Sequence, residues 1–418
     1  MNTPGASSPP LRSPEQAPED PVLSTDVSES PVQEDATPPP PRGGARRGPD
    51  AAMGGLLGSL RSGARPATEQ VLAFLTFLSL GIGVGLVLGW ATGHDPGVIL
   101  GNLFEGSIGS SISLGYMLTA AAPLLLVAVG AVICMRAGQF NIGQEGQVTL
   151  GAIGAGFVVF HVDASGPVTI VLAFAGAALA GAGWALLAAL LKFGRGVDIV
   201  VSSLLLVFLA EQLLTALISG DGPLHDDGDG VLGGGTASQS PRVPEKAMLP
   251  TIHILGVDVP LAFVLALVAA VLVAWFLASA HAGYRLRILG QNPAVAGTIG
   301  ISAPRLGSLA VAASGAFAGA AGAAILMGQS FQLNPGVSSS IGWSGLLIAL
   351  AARTNAAVSV LLALVFGAMV AGGGLLGGDG IPVDIVNVIT AAIVVALLCP
   401  PVLLAAVRRR RIRRSVEA

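Results

Sequence analysis

The stretch LGSLAVAASGAFAGAAGAAILMGQSFQLNPGVSSSIGWSGLLIALAA, from Leu306 to Ala352, runs for forty-seven residues without one Asp, Glu, Lys or Arg. A hydrocarbon slab about 30 Å thick is crossed by about 20 mostly apolar residues wound into a helix, because lipid offers the backbone no hydrogen-bond partner. The stretch therefore holds more than one crossing, interrupted by the polar segment from Gly328 to Trp343. Similar runs recur from Val71 onward. Composition agrees: 53% of residues are hydrophobic and 11% charged, against about 25% charged in soluble domains. A soluble core is excluded, and the fold class expected is an all-α, polytopic membrane helix bundle.

Working outward, residues 1–66 are rich in Pro, Ser, Gly and Ala, include four prolines at Pro38 to Pro41, and lack apolar periodicity. They read as a disordered cytoplasmic tail whose arginines lie near anionic lipid headgroups. No signal peptide is expected, because the basic stretch runs into a full-length apolar run with no small-residue cleavage pattern close behind. Residues 67–407 form the transmembrane domain, and residues 408–418, with RRRRIRR, a basic cytoplasmic tail. Cys134 and Cys399 lie far apart in apolar runs and imply neither a disulfide framework nor a metal site.

Ten apolar runs are candidate crossings: 71–92, 117–135, 146–160, 168–191, 197–219, 260–280, 307–328, 342–352, 356–376 and 383–404. The third and eighth are short, so at least one is expected to be a broken or re-entrant helix, and the count is 8 to 10. With the N-terminus inside and the runs alternating, Arg136, Lys192, Arg195, Arg285, Arg287, Arg305, Arg353 and Arg408 to Arg414 all fall in the cytoplasm. Only Arg242 and Lys246 fall outside. That bias satisfies the positive-inside rule and places both termini in the cytoplasm. Small residues at spacing four (Gly81, Gly85, Gly89; Gly315, Gly319) predict close helix packing.

Polar groups inside such a bundle are costly and mark function. The densest set is RAGQFNIGQEGQ, Arg136 to Gln147. Its Phe140, Asn141, Glu145 and Gln147 are candidates for lining a solute path, although the segment reads equally well as a turn between two spans. The second polar break offers Gln329, Phe331, Asn334 and Trp343, amides beside aromatics that suit flat rings or sugar hydroxyls. For Trp343 an interfacial aromatic belt is the simpler reading. Asp198, Glu211 and Asp384 line a polar path or mark helix ends. The acidic loop from Gly220 to Asp258 lacks the ligand spacing of an EF-hand and reads as solvated.

The chain carries two lysines, Lys192 and Lys246, neither in a G-x-x-x-x-G context, so it has no phosphate-cradling loop of its own. Energy must come from a partner or an ion gradient. Gly328-Gln-Ser330 resembles a serine-protease turn, but the histidines fall on the wrong side of the membrane. No H-E-x-x-H spacing is present.

Between the sixth and seventh runs, Tyr284 to Gly307 forms a basic segment in which Asn292 and Pro293 predict the cap and first turn of a short helix. It resembles the coupling loop of ABC importer permeases of the branched-chain amino acid, simple-sugar and nucleoside class. The pattern is carried by Arg287, Gly290, Asn292, Ala296 (with one step of slack), Gly300 and Ile301. FNIGQEGQ, Phe140 to Gln147, is similar to an element of the nucleoside-type members. The resemblance implies an ATP-driven importer for nucleosides in the plasma membrane, with no enzyme activity and no cofactor in this chain. ATP and Mg²⁺ would be held by a cytoplasmic ATPase gripping that loop. A second, usually different, permease subunit and an extracytoplasmic substrate-binding lipoprotein would complete it, with no nucleic-acid partner. An ion-driven carrier using Glu145, Asp198 or Glu211, a simple-sugar permease, and a channel are the competing readings.

Overall fold

In a computed structural model of the protein, residues 76, 79–220, 222–226, 238–378 and 387–392 are described. They form helices joined by short connections: α1 (Ser79–Ala91), α2 (Pro96–Ser107), α3 (Ser111–Arg136), α4 (Gln144–His161), α5 (Gly166–Arg195) and α6 (Ile199–Ile218). A hairpin, β1 (Thr251–Ile254) and β2 (Val257–Pro260), leads into α7 (Leu261–Ser279), α8 (His281–Gln291), α9 (Pro293–Thr298), α10 (Ala303–Ile325), α11 (Ile341–Ala351) and α12 (Ala356–Gly378). Helical backbone recurs at residues 387–392.

Six helices among the described residues are long and apolar enough to cross a membrane: α3, α5, α6, α7, α12, and α10 with the π-helical turn Leu326–Ser330 that extends it. This is fewer than the expected 8 to 10, for identifiable reasons. The first run is described from Ser79 to Ala91 only, and the tenth, with Asp384 and Cys399, lies mostly outside the described residues, as do the two tails. The third run is α4, whose first turn carries Gln144, Glu145 and Gln147 and is too polar to count. The eighth is α11, eleven residues long, about half a crossing.

Helix α8, helix α2 and the hairpin were not foreseen. Helix α2 follows α1 after a sharp turn because Asp95 caps it, its Oδ1 accepting from Gly97 N at 2.7 Å, with Pro96 in the first turn. The hairpin sits in the acidic loop, pairing Thr251 with Pro260 through Ile254 with Val257. Asp198 marks a helix end, capping α6 through Val200 N at 2.7 Å.

Helix α10 lies at the centre, packed on α3, α4 and α5. The approach is set by missing side chains. A Cβ on Gly319 would stand 2.1 Å from Ala177 O, one on Gly151 2.2 Å from Gly319 O, and one on Gly181 2.2 Å from Gly315 O. Lipid gives helices little hydrophobic reason to associate, so backbone contact of this kind supplies dispersion at short range. Gly183, on the same α5, meets nothing within 4 Å. Gly319→Ala is expected to destabilise the protein by about 1–3 kcal/mol through overpacking, while Gly183→Ala changes it little. Thermal unfolding of the two variants in detergent, followed by retention of monodisperse protein, tests the difference.

Candidate functional site

The chain leaves α3 through Gly138 in the left-handed region, φ +70, and then runs irregularly inward to α4. Asn141, 2% exposed, donates from Nδ2 to Gln147 Oε1 at 2.9 Å, and Gln147 Nε2 returns a bond to Asn141 Oδ1 at 3.1 Å. Gln144 Nε2 donates to Ser314 Oγ on α10 at 2.9 Å. Paired amides satisfy each other, which is how buried polar groups persist in an apolar bundle.

Glu145 faces a different helix. Its Oε1 accepts from Ser338 Oγ at 2.6 Å and Ser340 N at 2.9 Å, and its Oε2 from Trp343 N at 3.2 Å. Ser340, the residue before α11, makes no side-chain cap bond of its own. The carboxylate therefore serves as the cap of α11, taking up N–H groups that would otherwise lack partners and placing negative charge at the positive end of the helix dipole. At the other end, Arg136 Nε and Nη2 both donate to Thr354 O, at 3.1 and 2.9 Å. Two pairs of left-handed residues bracket α11: Ser339 (φ 46) with Ser340 (φ 63), and Arg353 (φ 52) with Thr354 (φ 58). Each costs roughly 1–2 kcal/mol, and each pair is held by a charged side chain from the Arg136 to Gln147 segment.

The start of α11 forms one wall of a cavity of about 800 Å³. Ser330, Asn334, Ser339, Ser340 and Ser344 line it, with Gln329, Phe366 and Asn387, and no charged side chain of the described residues does. A second cavity of about 830 Å³ lies beside it, lined by Glu105, Ser113, Tyr116, Gln329 and Phe331 among others. Gln329, on the π-helical turn, borders both and donates from Nε2 to Thr119 O at 2.8 Å.

Of the sequence-derived path residues, Gln329, Phe331 and Asn334 thus border a cavity. Phe140, Asn141, Glu145, Gln147 and Trp343 border neither of these two; all but Phe140 hydrogen-bond in the scaffold behind the cavity. Glu211, midway in α6, accepts from Thr149 Oγ1 at 2.8 Å. The wall serines were missed, although Ser339 and Ser340 follow Ser338 before an apolar run and carry the hydroxyl chemistry of a helix start.

The segment from Tyr284 to Gly307 folds as α8 and α9. Asn292 caps α9, its Oδ1 accepting from Ala294 N at 3.1 Å and Val295 N at 3.2 Å, with Pro293 in the first turn. Ala296, Leu289 and Ile301 form a small core beneath it, and Gly300 turns at φ +77. The Arg287 guanidinium lies 5.9 Å from the Tyr284 ring centre. Gly290 rests on the turn after α3: a Cβ there would stand 2.3 Å from Arg136 O. Lys192 Nζ donates to Gln139 Oε1 at this same end of the bundle. At the opposite end, Lys246 Nζ lies 2.8 Å from Asp163 Oδ1 and holds that exposed carboxyl below its usual range.

Residues 113–398 match the model of the branched-chain amino acid transport system permease component family. The chain belongs to this family. It is 31% identical over 334 residues to the glucose ABC transporter permease TsgB13 of Haloferax volcanii, covering 78% of this chain and 85% of the relative. It is 26% identical to the nucleoside ABC transporter permease NupB of Lactococcus lactis, covering 78% and 90%, and 26% identical to the guanosine ABC transporter permease NupP of Bacillus subtilis, covering 78% and 92%. Each of these three organisms holds a second matching permease named for the same substrate. No solved structure matches. The permease is therefore a multi-pass plasma-membrane subunit of the sugar and nucleoside ABC class, a transport component and not an enzyme, and such permeases need no cofactor of their own.

Hydrogen bonds to a charged group contribute about 1.5–3 kcal/mol each. Glu145→Ala removes three at once and should destabilise the permease by about 3 kcal/mol or more, with Ser338→Ala costing about half that. Glu145→Gln should fall between them, since its amide keeps one oxygen acceptor while its NH₂ opposes a backbone donor. Midpoints of thermal unfolding for the three purified variants give the ranking.

Proposed function

We propose that the permease forms half of the conduit of an ATP-driven importer of nucleosides, with 8 to 10 crossings and both termini in the cytoplasm. The reading rests above all on one continuous chain of contacts. Gly290 of the α8–α9 segment sits on the Arg136 to Gly138 turn, that segment leads to Glu145, and Glu145 holds the start of α11, which walls the cavity. A push on α8 and α9 thus reaches the cavity wall through rigid, hydrogen-bonded parts.

In this mechanism a cytoplasmic ATPase grips the loop around Arg287, Gly290, Asn292, Ala296, Gly300 and Ile301, binds ATP and Mg²⁺, and drives alternating access. A second permease subunit completes the path, as the paired relatives suggest, and an extracytoplasmic lipoprotein delivers the solute. Sidedness follows from the basic residues at the α8–α9 end. Phe140, Asn141, Glu145, Gln147 and Trp343 position the path from behind, while Gln329, Phe331 and Asn334 meet the solute.

For the cargo, amides and hydroxyls supply donors and acceptors for a base edge and a ribose, Phe366 supplies a flat face in the cavity of about 800 Å³, and Phe331 and Tyr116 supply flat faces in the neighbouring one, which Glu105 also lines. The described wall of the cavity of about 800 Å³ has no charge to balance a phosphate or a zwitterion, which favours neutral nucleosides over nucleotides and amino acids. A hexose satisfies the same chemistry, and the relative named for glucose keeps that second reading in play.

Uptake of labelled guanosine into cells expressing the complete transporter is expected to be competed by other nucleosides and not by glucose; competition by glucose alone would replace the cargo assignment. Gln329→Ala and Asn334→Ala should each raise KM for uptake about tenfold, the effect of about 1.4 kcal/mol, without changing ATPase activity. Gly290→Val should instead abolish uptake while the ATPase turns over, and unimpaired uptake in that variant would sever the proposed mechanical link.

A further inference from the structure

Helix α6 presents a stripe of exposed side chains, Val201, Leu205, Phe208, Leu209 and Leu213, and in its midst an exposed amide, Gln212. Gln212 lies six residues inside the helix end at Ile218, about 9 Å along the axis at 1.5 Å per residue, within the hydrocarbon depth of a crossing helix. On the six membrane-length helices, the other exposed polar side chains among the described residues are Ser111, Arg195, Ser279 and Arg305, all within three residues of a helix end, and Tyr116 and Trp275, mostly apolar rings. The exposed faces of α5 and α7 are apolar along their interiors, as lipid requires.

An amide directed at acyl chains loses water and gains no partner. Interhelical hydrogen bonds from Gln are a common adhesive between membrane helices. Spacings of four, three and four from Val201 through Leu205 and Phe208 to Gln212 form a stripe along which another helix can pack.

We infer that this face of α6 is where the second permease subunit docks, with Gln212 hydrogen-bonded across the interface to a polar side chain or backbone carbonyl on a helix of that partner. The occupant is chosen on two grounds. The relatives come in permease pairs, which points to a membrane-embedded partner, and lipid cannot offer a fixed donor or acceptor at this depth. The inference rests on the two-permease reading above and adds the face and the residue.

The test uses the complete transporter in native membranes, with the second permease carrying one epitope tag and an extra copy of this chain carrying another. Co-purification of the tagged second permease with the wild-type chain tests the pairing by itself. Benzoylphenylalanine placed at Gln212 is then photolysed. A cross-linked product bearing the second permease's tag is expected, and the same probe at Leu179, 74% exposed on α5, should give lipid adducts only. Lipid adducts alone at Gln212, or a product bearing the extra copy's tag, would overturn the assignment even where co-purification succeeds. Gln212→Leu should weaken recovery of the second permease about 3- to 30-fold, the range for one interhelical hydrogen bond. Undiminished recovery would remove Gln212's role.

Discussion

The Glu145 carboxylate is the point on which the rest of the architecture turns. It is the one acidic side chain that caps a helix other than its own among the described hydrogen bonds, and it does so inside a bundle where every unpaired backbone donor is expensive. Without it, α11 would begin with free N–H groups, no side-chain cap from Ser340, and two residues in left-handed backbone. Arg136 answers at the far end of α11. The half-length helix is thus clamped by two charges that stand nine positions apart in one polar segment, and that segment is held in turn by amide pairs and by Ser314 of α10.

Helix α11 is packed on α3 and α4 through Gly342, Gly345, Leu346, Ile348 and Ala349 and is clamped at both ends as well. In the mechanism proposed above, a displacement of the clamp moves this short helix as a unit. The central packing of α10 on α4 and α5 works in the opposite direction. Glycines at the contact bring backbones together with no side chain to rearrange, giving a rigid block. A moving element needs such a block to move against. The strained residues sit at the boundary between the two, where Ser339, Ser340, Arg353 and Thr354 are held by surrounding hydrogen bonds.

Much of this was legible from residue types alone. Charge-free length announces membrane helices, and glycine spacing announces their close contact; Asn292 and Pro293 announce the start of α9, as the structure shows. The polar cluster from Arg136 to Gln147 could be picked out, but not its direction. Spacing cannot distinguish an amide facing a cavity from an amide facing another amide, since both satisfy the same donors and acceptors. Trp343 illustrates the limit: its contribution to the Glu145 site is a backbone N–H, which no side-chain reading can foresee. Helix α2 escaped because PGVILGNLFEGS is too short to look like a crossing, and its start depends on the local bond from Asp95. The wall serines escaped because a small neutral hydroxyl in an apolar run does not stand out as a carboxylate does.

The cavity chemistry carries a consequence for how selective this subunit can be. Hydroxyls and amides are weak, adaptable partners, each able to donate or accept, and they discriminate poorly among neutral polar solutes of similar size. Strong discrimination needs a buried group that is left unpaired by the wrong ligand. The cavity of about 800 Å³ offers rotatable serines that can reorient, so if it is the path, its rejection is strongest against charge, where no reorientation of a neutral dipole replaces lost hydration. On the proposed reading, a path through this cavity filters by charge and size and leaves fine recognition to the protein that presents the solute. That division of labour is compatible with relatives named for glucose in one organism and for guanosine in another, because both cargoes are neutral.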